Sequence, residues 1–440
     1  MKSSTLLPLW AVAGVAYSPI DQYFHNGTCL LEAPSLLLGI DPMCGLDTSA
    51  STNLASSAGG PWKYAAPCNR SKKNGREYCV YSDPTFAGGR GAAFVTWAGR
   101  AAYLARKPAF TDGRATEGMN LDPGPKYKVV PMEGKGMGIV ATRLINRGEL
   151  IMASTASLMI DYGAFDDLDR NEYMQLQEEA AALLPWQHRD QLLNLSTHDD
   201  ASTLAGPELV DKVISTNAFD IYPPGDDDDP DPDQSAFYTV FPEVARLNHD
   251  CRANADYRFD HAALAQLVHA VRPILPGEEI TISYIDPLIG RARRAKRLRS
   301  TWGFECGCAA CRASGAAAAA SDARVAQLGE LARELDDYGR GSRATPQMAE
   351  LYASLLEMEG LWGMVYWGYW FAAIEWNGVG EPWVATRWAH MAIEYGIYSA
   401  GPRDRKVVDM VELAEDPWGH WSWMSRTRER QRGSRETDDE

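Results

Sequence analysis

Three cysteines within six residues, Cys306-Gly307-Cys308-Ala309-Ala310-Cys311, constrain this chain more than any other feature. Closely spaced thiolates supply three of the four tetrahedral ligands that zinc takes, with no long loop to close. The fourth has to come from elsewhere in the fold, and Cys251 is the candidate. Such a site ties the segment after residue 300 back to the one near residue 250; redox use or simple burial is the alternative. The other four cysteines, Cys29, Cys44, Cys68 and Cys79, lie among Gly, Ser, Pro and Asn residues and match no zinc spacing. They read as two disulfides in one of three pairings.

A chain of 440 residues with 45% hydrophobic residues has length for two or three domains and material for a sizeable core. Its formal net charge of -16 argues against electrostatic nucleic-acid binding. That charge suits a basic partner such as a lysine-rich protein tail, or serves only to keep the surface soluble. At the N-terminus Lys2 precedes an apolar run, Leu6 to Ala16, with Gly14 and Ala16 before Tyr17. That is the layout of a secretory signal over residues 1–16, a buried N-terminal helix or strand being the alternative. The sequons at Asn26, Asn69 and Asn194 add little to it. The apolar run is too short to span a membrane, and none of sufficient length follows.

Residues 17–128 read as an irregular, cysteine-containing region with turn signals such as Ser82-Asp83-Pro84 and Gly88-Gly89-Arg90-Gly91. Short strands are expected at Tyr127–Val130, Gly138–Thr142 and Glu149–Met152, and again at Ala263–Val271 and Glu279–Tyr284. Between them residues 167–216 have helical periodicity, with Leu176, Ala180, Leu183 and Leu184 on one face. The run Asp226 to Asp233 is a solvated loop, since neighbouring like charges and proline oppose regular structure. From Ala316 a helical region extends to about residue 415 and holds Trp362, Trp367, Trp370, Trp376, Trp383 and Trp388. Small and aromatic residues at interlocking positions there resemble tetratricopeptide-like pairs without a clean period, and the aromatics are read as helix packing. A charged tail over 416–440 follows, with Arg426 to Glu440 read as disordered.

Three blocks carry chemistry. In Glu133-Gly134-Lys135-Gly136-Met137-Gly138, glycines on either side of Met137 let the main chain approach a ligand where a Cβ would collide. In Arg246-Leu247-Asn248-His249-Asp250-Cys251-Arg252-Ala253-Asn254, amides and an imidazole offer donors and acceptors to a polar cofactor. The third, Pro276-Gly277-Glu278-Glu279-Ile280-Thr281-Ile282-Ser283-Tyr284, is a strand ending in a tyrosine. Each has a bland reading, as a hairpin, a polar turn and a packing residue. Their order, followed by Gly303-Phe304-Glu305-Cys306, is far more specific than any one of them.

With these blocks in place the chain resembles the SET-domain lysine methyltransferases, over about Val129 to Arg312. The likeness is to the branch that also carries a MYND finger and a helical C-terminus. The finger is missing, because no cysteine lies between the first block and the second. Over residues 1–120 only some fungal SET-like proteins look similar. The usual Asn-His-Ser-Cys-x-Pro-Asn is Asn-His-Asp-Cys-Arg-Ala-Asn here, at residues 248–254.

The resemblance implies an α+β architecture. A SET-domain β-fold with a pseudoknot would occupy 129–290, with a helical insert over about 160–235. A zinc-bound post-SET segment would follow at 291–315, and an all-α tetratricopeptide-like region at 316–415. It implies S-adenosylmethionine and Zn2+ as cofactors and a lysine-containing protein, histone or non-histone, as substrate. Lys135, Gly136, Met137, Gly138, Asn217, Asn248, His249, Tyr284 and Phe304 would contact the cofactor, with Tyr284 also catalytic. Cys251, Cys306, Cys308 and Cys311 match the post-SET zinc ligands. The expected protein is a monomer with no direct nucleic-acid or membrane contact. Two other readings stay open: a non-catalytic SET-like interaction module, and a secreted disulfide-bonded SET-like protein. The compartment is divided in the same way, the N-terminus pointing to the secretory pathway and the resemblance to nucleus or cytoplasm.

Overall fold

The computed structural model describes residues 60–427, apart from 63–66, 122–123, 125, 198–202, 223–229, 231–235 and 340. Residues 1–16 with their expected signal, Cys29, Cys44, and all of the Asp226–Asp233 run but Pro230 lie outside the described residues. The described residues fall into two compact units, one ending at Ala318 and one starting at Ala319. Together they are mixed α+β, with strands confined to the first unit and a helical region making up the second.

Three sheets build the first unit. In spatial order the largest is β1 (Cys68–Arg70), β2 (Glu77–Asp83), β3 (Ala92–Trp97), β7 (Leu158–Asp161), β9 (Phe237–Val240) and β8 (Phe219–Ile221). The second runs β10 (Asn248–His249), β13 (Glu279–Ile282), β5 (Gly136–Ala141) and β4 (Tyr127–Met132). The third is β11 (Ala255–Asp260), β12 (Ala265–Ala270) and β6 (Leu150–Thr155).

Side chains alternate between faces along a strand. Along β3, Ala92 and Phe94 enter a core shared with Ile139, Val268 and Ile280, while Ala93 and Val95 enter a second core with Leu176, Leu192 and Val213. In β7 Met159 joins the first core, and Leu158 and Ile160 the second. The large sheet is therefore buried on both faces, with the helical insert against one of them. Over residues 67–128 this corrects the reading of 17–128 as irregular, the part before Gly60 lying outside the described residues. Strands apolar on both faces show no alternation, and the glycines around β2 and β3 mark the turns between them. Cys68 and Cys79 face each other across β1 and β2 and form a disulfide, which selects one pairing among the cysteines.

After β3 comes α1 (Ala98–Ala105). The insert leaves the large sheet at Asp161 and returns at Phe219 through α2 (Tyr162–Asp167), α3 (Arg170–Ala182), α4 (Trp186–Leu193) and α5 (Gly206–Asn217). Helix α3 opens on a capping box formed by Asp169 and Glu172, and it buries Leu176 and Ala180 as the periodicity implied. On α4, His188 faces the sheet with Nε2 on the Ser157 hydroxyl and Nδ1 2.9 Å from the Arg90 carbonyl. Strand β13 stops at Ile282, so Tyr284 lies two residues beyond it.

Helix α6 (Arg291–Trp302) continues the chain toward the cysteine cluster, and α7 (Gly315–Leu335) leads into the second unit. There α8 (Pro346–Met358), α9 (Val365–Gly378), α10 (Pro382–Ser399) and α11 (Arg405–Glu415) follow. Small residues set the close approaches. A Cβ on Gly368 would lie 2.7 Å from Ala353 Cα, and one on Gly396 would lie 2.6 Å from Val407 Cγ2. Tyr369, Trp370 and Phe371 are buried, in keeping with packing aromatics, but Trp383 is 70% exposed. The tail also needs correcting: Arg426, read as part of a disordered segment, is buried. Its guanidinium is held by the Glu375 carboxylate at 2.5 Å, the Asp337 carbonyl at 2.9 Å and the Ser342 hydroxyl at 3.0 Å.

Candidate active site and cysteine cluster

The first sheet edge to consider is the β4–β5 turn. Gly136 adopts φ +74, and its missing Cβ would face open space, so the main chain is approachable there. At Gly138 the opposite holds: a Cβ would lie 2.5 Å from Met132 Cγ and 2.7 Å from Asn248 Nδ2. The absent side chain lets Asn248 reach over β5 and donate to the Met137 carbonyl at 3.2 Å and to Glu279 Oε1 at 2.9 Å. Glu279 also holds Lys135, Nζ to Oε2 at 2.6 Å. Lys135, Met137, Gly138 and Asn248 are thus brought together around one carboxylate.

His249 continues the same short strand, which pairs parallel with β13. Its Nδ1 accepts the Tyr284 main-chain N–H at 3.0 Å, and its Nε2 lies 3.3 Å from Cys251 Sγ. An accepting Nδ1 requires the neutral ring with hydrogen on Nε2. Burial favours that form, pulling the imidazole down to about 4. The Tyr284 hydroxyl donates to the Leu247 carbonyl at 2.6 Å. Burial, with Glu279 nearby, raises the phenol well above its ordinary value, so it stays protonated. Three rings surround it: Trp302 at 5.4 Å, His249 at 5.4 Å and Phe304 at 6.4 Å between centroids. Phe304 also lies 6.1 Å from His249.

Cys251 is fully buried, and its Sγ is 4.0 Å from that of Cys306 and 3.5 Å from that of Cys311. All four thiols of the expected cluster lie within 4.8 Å of one another and can hold a metal ion. Among the described residues the other such group is Cys68, Glu77 and Cys79, two of which are already joined as a disulfide. His249 links the two halves of the site, touching Tyr284 through one nitrogen and Cys251 through the other.

One expected contact is not brought in. Asn217 ends α5 with its amide donating to the Ser196 and Val213 carbonyls at 2.7 and 2.8 Å, and none of its hydrogen bonds reaches the Tyr284 group. Four participants went unassigned in the sequence: Glu279, Trp302, the Leu247 carbonyl and Asn254. Asn254 is 2% exposed, donates to the Glu279 carbonyl at 2.8 Å and accepts the Thr281 N–H at 2.8 Å, which fixes β13 beside it. For Trp302 a signal existed, because it stands four residues after buried Leu298 on a helix.

Residues 136–285 match the family model described as SET domain. The chain therefore carries a SET domain, and its homologues are SET5 and SMYD-type histone and lysine methyltransferases. Histone-lysine N-methyltransferase set5 of Schizosaccharomyces pombe is 32% identical over 185 residues, 42% of this chain and 50% of that one. Human histone-lysine N-methyltransferase SMYD3 is 41% identical over 73 residues, 17% of each chain. Human N-lysine methyltransferase SMYD2 is 43% identical over 72 residues, 16% of each. The chain thus matches half or less of the length of these relatives. Among solved structures, Rubisco LSMT bound to sinefungin and monomethyllysine aligns with 73% of this chain and 90% of that one. The identity is 12% and the TM-score 0.28, so the two superpose only loosely.

Proposed function

We propose that this chain is a protein-lysine N-methyltransferase that uses S-adenosylmethionine. The observation that carries the reading is Tyr284, ringed by Trp302, His249 and Phe304 and joined through His249 to the Asn248–Met137 pair. The donor set fits the cofactor. Gly136 leaves main chain open, Lys135 and Asn248 place polar groups beside it, and Phe304 offers an aromatic face. In this reading Lys135, Gly136, Met137, Gly138, Asn248, His249, Tyr284 and Phe304 hold S-adenosylmethionine, and Asn217, whose amide is held by the Ser196 and Val213 carbonyls, is left out of that set. The cofactor supplies a sulfonium methyl that a neutral amine accepts directly. The protein's part is positioning. The rings around Tyr284 give the amine apolar neighbours and favour its uncharged form, because desolvation disfavours the cation. With its proton on the Leu247 carbonyl, the Tyr284 hydroxyl presents lone pairs that orient the incoming amine.

The metal in this reading is zinc, and the cysteine cluster fits it. A tetrahedron with Zn–S bonds of about 2.3 Å has sulfur–sulfur edges of about 3.8 Å, and the separations from Cys251 Sγ straddle that value. Zinc would pin the post-SET segment that carries Phe304, and the helical unit would serve as a tetratricopeptide-like platform. The substrate is a lysine-containing protein, histone or non-histone.

Tyr284→Phe is the test. The ring is kept, so packing should hold and calorimetry should give cofactor affinity near wild type. Loss of one positioned polar group should slow single-turnover methylation of a lysine-rich protein pool by roughly 100- to 1,000-fold. Wild-type transfer by the Phe variant would remove Tyr284 from its role. Cofactor binding without transfer to any protein would leave the non-catalytic module as the better reading.

A further inference from the structure

Helix α6 reverses the charge of the chain around it. Its twelve residues include Arg291, Arg293, Arg294, Lys296, Arg297 and Arg299 and no acid, in a chain of net charge -16. Three of these cations have internal roles. Arg291 donates to the Ala313 carbonyl, buried Arg294 to the Ile289 carbonyl, and Arg299 pairs with Glu305 at 2.6 Å. Arg293, Lys296 and Arg297 do not. They are exposed, they recur at the spacing that shares one helix face, and among the described residues none of them forms an ion pair.

We propose that this face binds acidic residues flanking the target lysine on the substrate protein. The inference rests on the lysine-methyltransferase reading and narrows its substrate class. Helix α6 ends on Trp302, whose ring is 5.4 Å from that of Tyr284, so the helix that carries the basic face abuts the candidate site. A rise of 1.5 Å per residue puts Arg297 about 7–8 Å and Arg293 about 13–14 Å from Trp302 along the axis. The face lies on the far side of a helix about 10 Å across, so a path around the helix is roughly 17–21 Å. At about 3.3 Å per residue, an extended substrate reaches it about five or six residues from its lysine. A nucleic acid would bring a dense run of phosphates against a chain of net charge -16, which favours a short acidic peptide segment as the occupant.

The test uses the full chain and fluorescent lysine peptides with glutamates about five and six residues from the lysine, beside glutamine counterparts. Binding is read by anisotropy and methyl transfer by kcat/KM, at low and high salt. The acidic peptide should bind about tenfold tighter than its neutral twin at low salt, the gap closing as salt screens it. The triple variant Arg293→Ala, Lys296→Ala, Arg297→Ala should lose that gap and still methylate the glutamine peptide at the wild-type rate. Alanine suits an exposed helix, so the variant should fold. No gap in the wild type, or a gap that survives the triple variant, overturns the proposal. So does a DNA duplex that displaces the acidic peptide from wild type and fails to bind the variant. A binding gap without methyl transfer to any peptide counts against the enzymatic reading and supports the assignment of the face.

Discussion

At the level of single residues, the site depends on what Gly138 lacks. Asn248 lies where a Cβ would go, 2.7 Å from it, and from there it bridges Met137 and Glu279. Gly138→Ala should displace that amide and cost about 1–3 kcal/mol in stability from overpacking, which a denaturant titration would register. Cofactor affinity should fall further than stability alone explains, and unchanged calorimetric affinity would separate Gly138 from the binding loop. The glycines, Asn248, His249 and Tyr284 were legible because each sits in a short block with chemistry of its own. Glu279 was not singled out, because its role comes from Lys135 and Asn248 converging on it, and one of two adjacent glutamates carries no such mark. Trp302 was hidden similarly: its neighbour Tyr284 lies on another element, and a helical aromatic reads as packing.

At the level of elements, two ties hold the site-bearing segments. His188 anchors the insert from within the core, 3% exposed, with its imidazole pulled down to about 4 by burial beside Arg90. An unfolded imidazole takes its proton near 6.5. Between these values the unfolded chain binds more protons than the folded one, so stability falls as pH drops through that window. Melting temperature should decline from pH 6.5 toward 4, and His188→Gln should flatten that decline; an equally steep loss in the variant would clear His188 of the effect. The second tie is the cysteine cluster. Chelation, or Cys251→Ser, should release one zinc per chain by metal analysis, with a lower melting temperature and weaker cofactor binding. A metal-free protein that folds and binds cofactor normally would remove zinc from the reading. Strands β4–β6, β12 and β13 were expected as short apolar runs, and the insert helices from their periodicity. Strands β1–β3 were not, since burial on both faces erases the alternation that marks a strand.

Across the whole molecule, the two units have different kinds of core, and each should respond to its own lesions. Arg426 and Glu375 form an ion pair inside the helical unit, 4% and 0% exposed. Arg426→Ala takes the guanidinium away from a buried carboxylate and should cost about 3–5 kcal/mol. Calorimetry should show the loss in one transition while cofactor binding, proposed for the other unit, persists; equal loss in both would mean that the units melt together. The helical unit was legible as a class from its composition, but not this pair, whose partners stand far apart in sequence and look like ordinary surface charges. The order of β10, β13, β5 and β4 has a further consequence, for how the protein is made. On a ribosome adding about 5–20 residues per second, β5 emerges roughly seven to thirty seconds before the strand that belongs beside it. Throughout that interval one edge of β5 is open to pairing with other chains. Yield in a cell should therefore depend on chaperones that shield the nascent edge until β13 arrives.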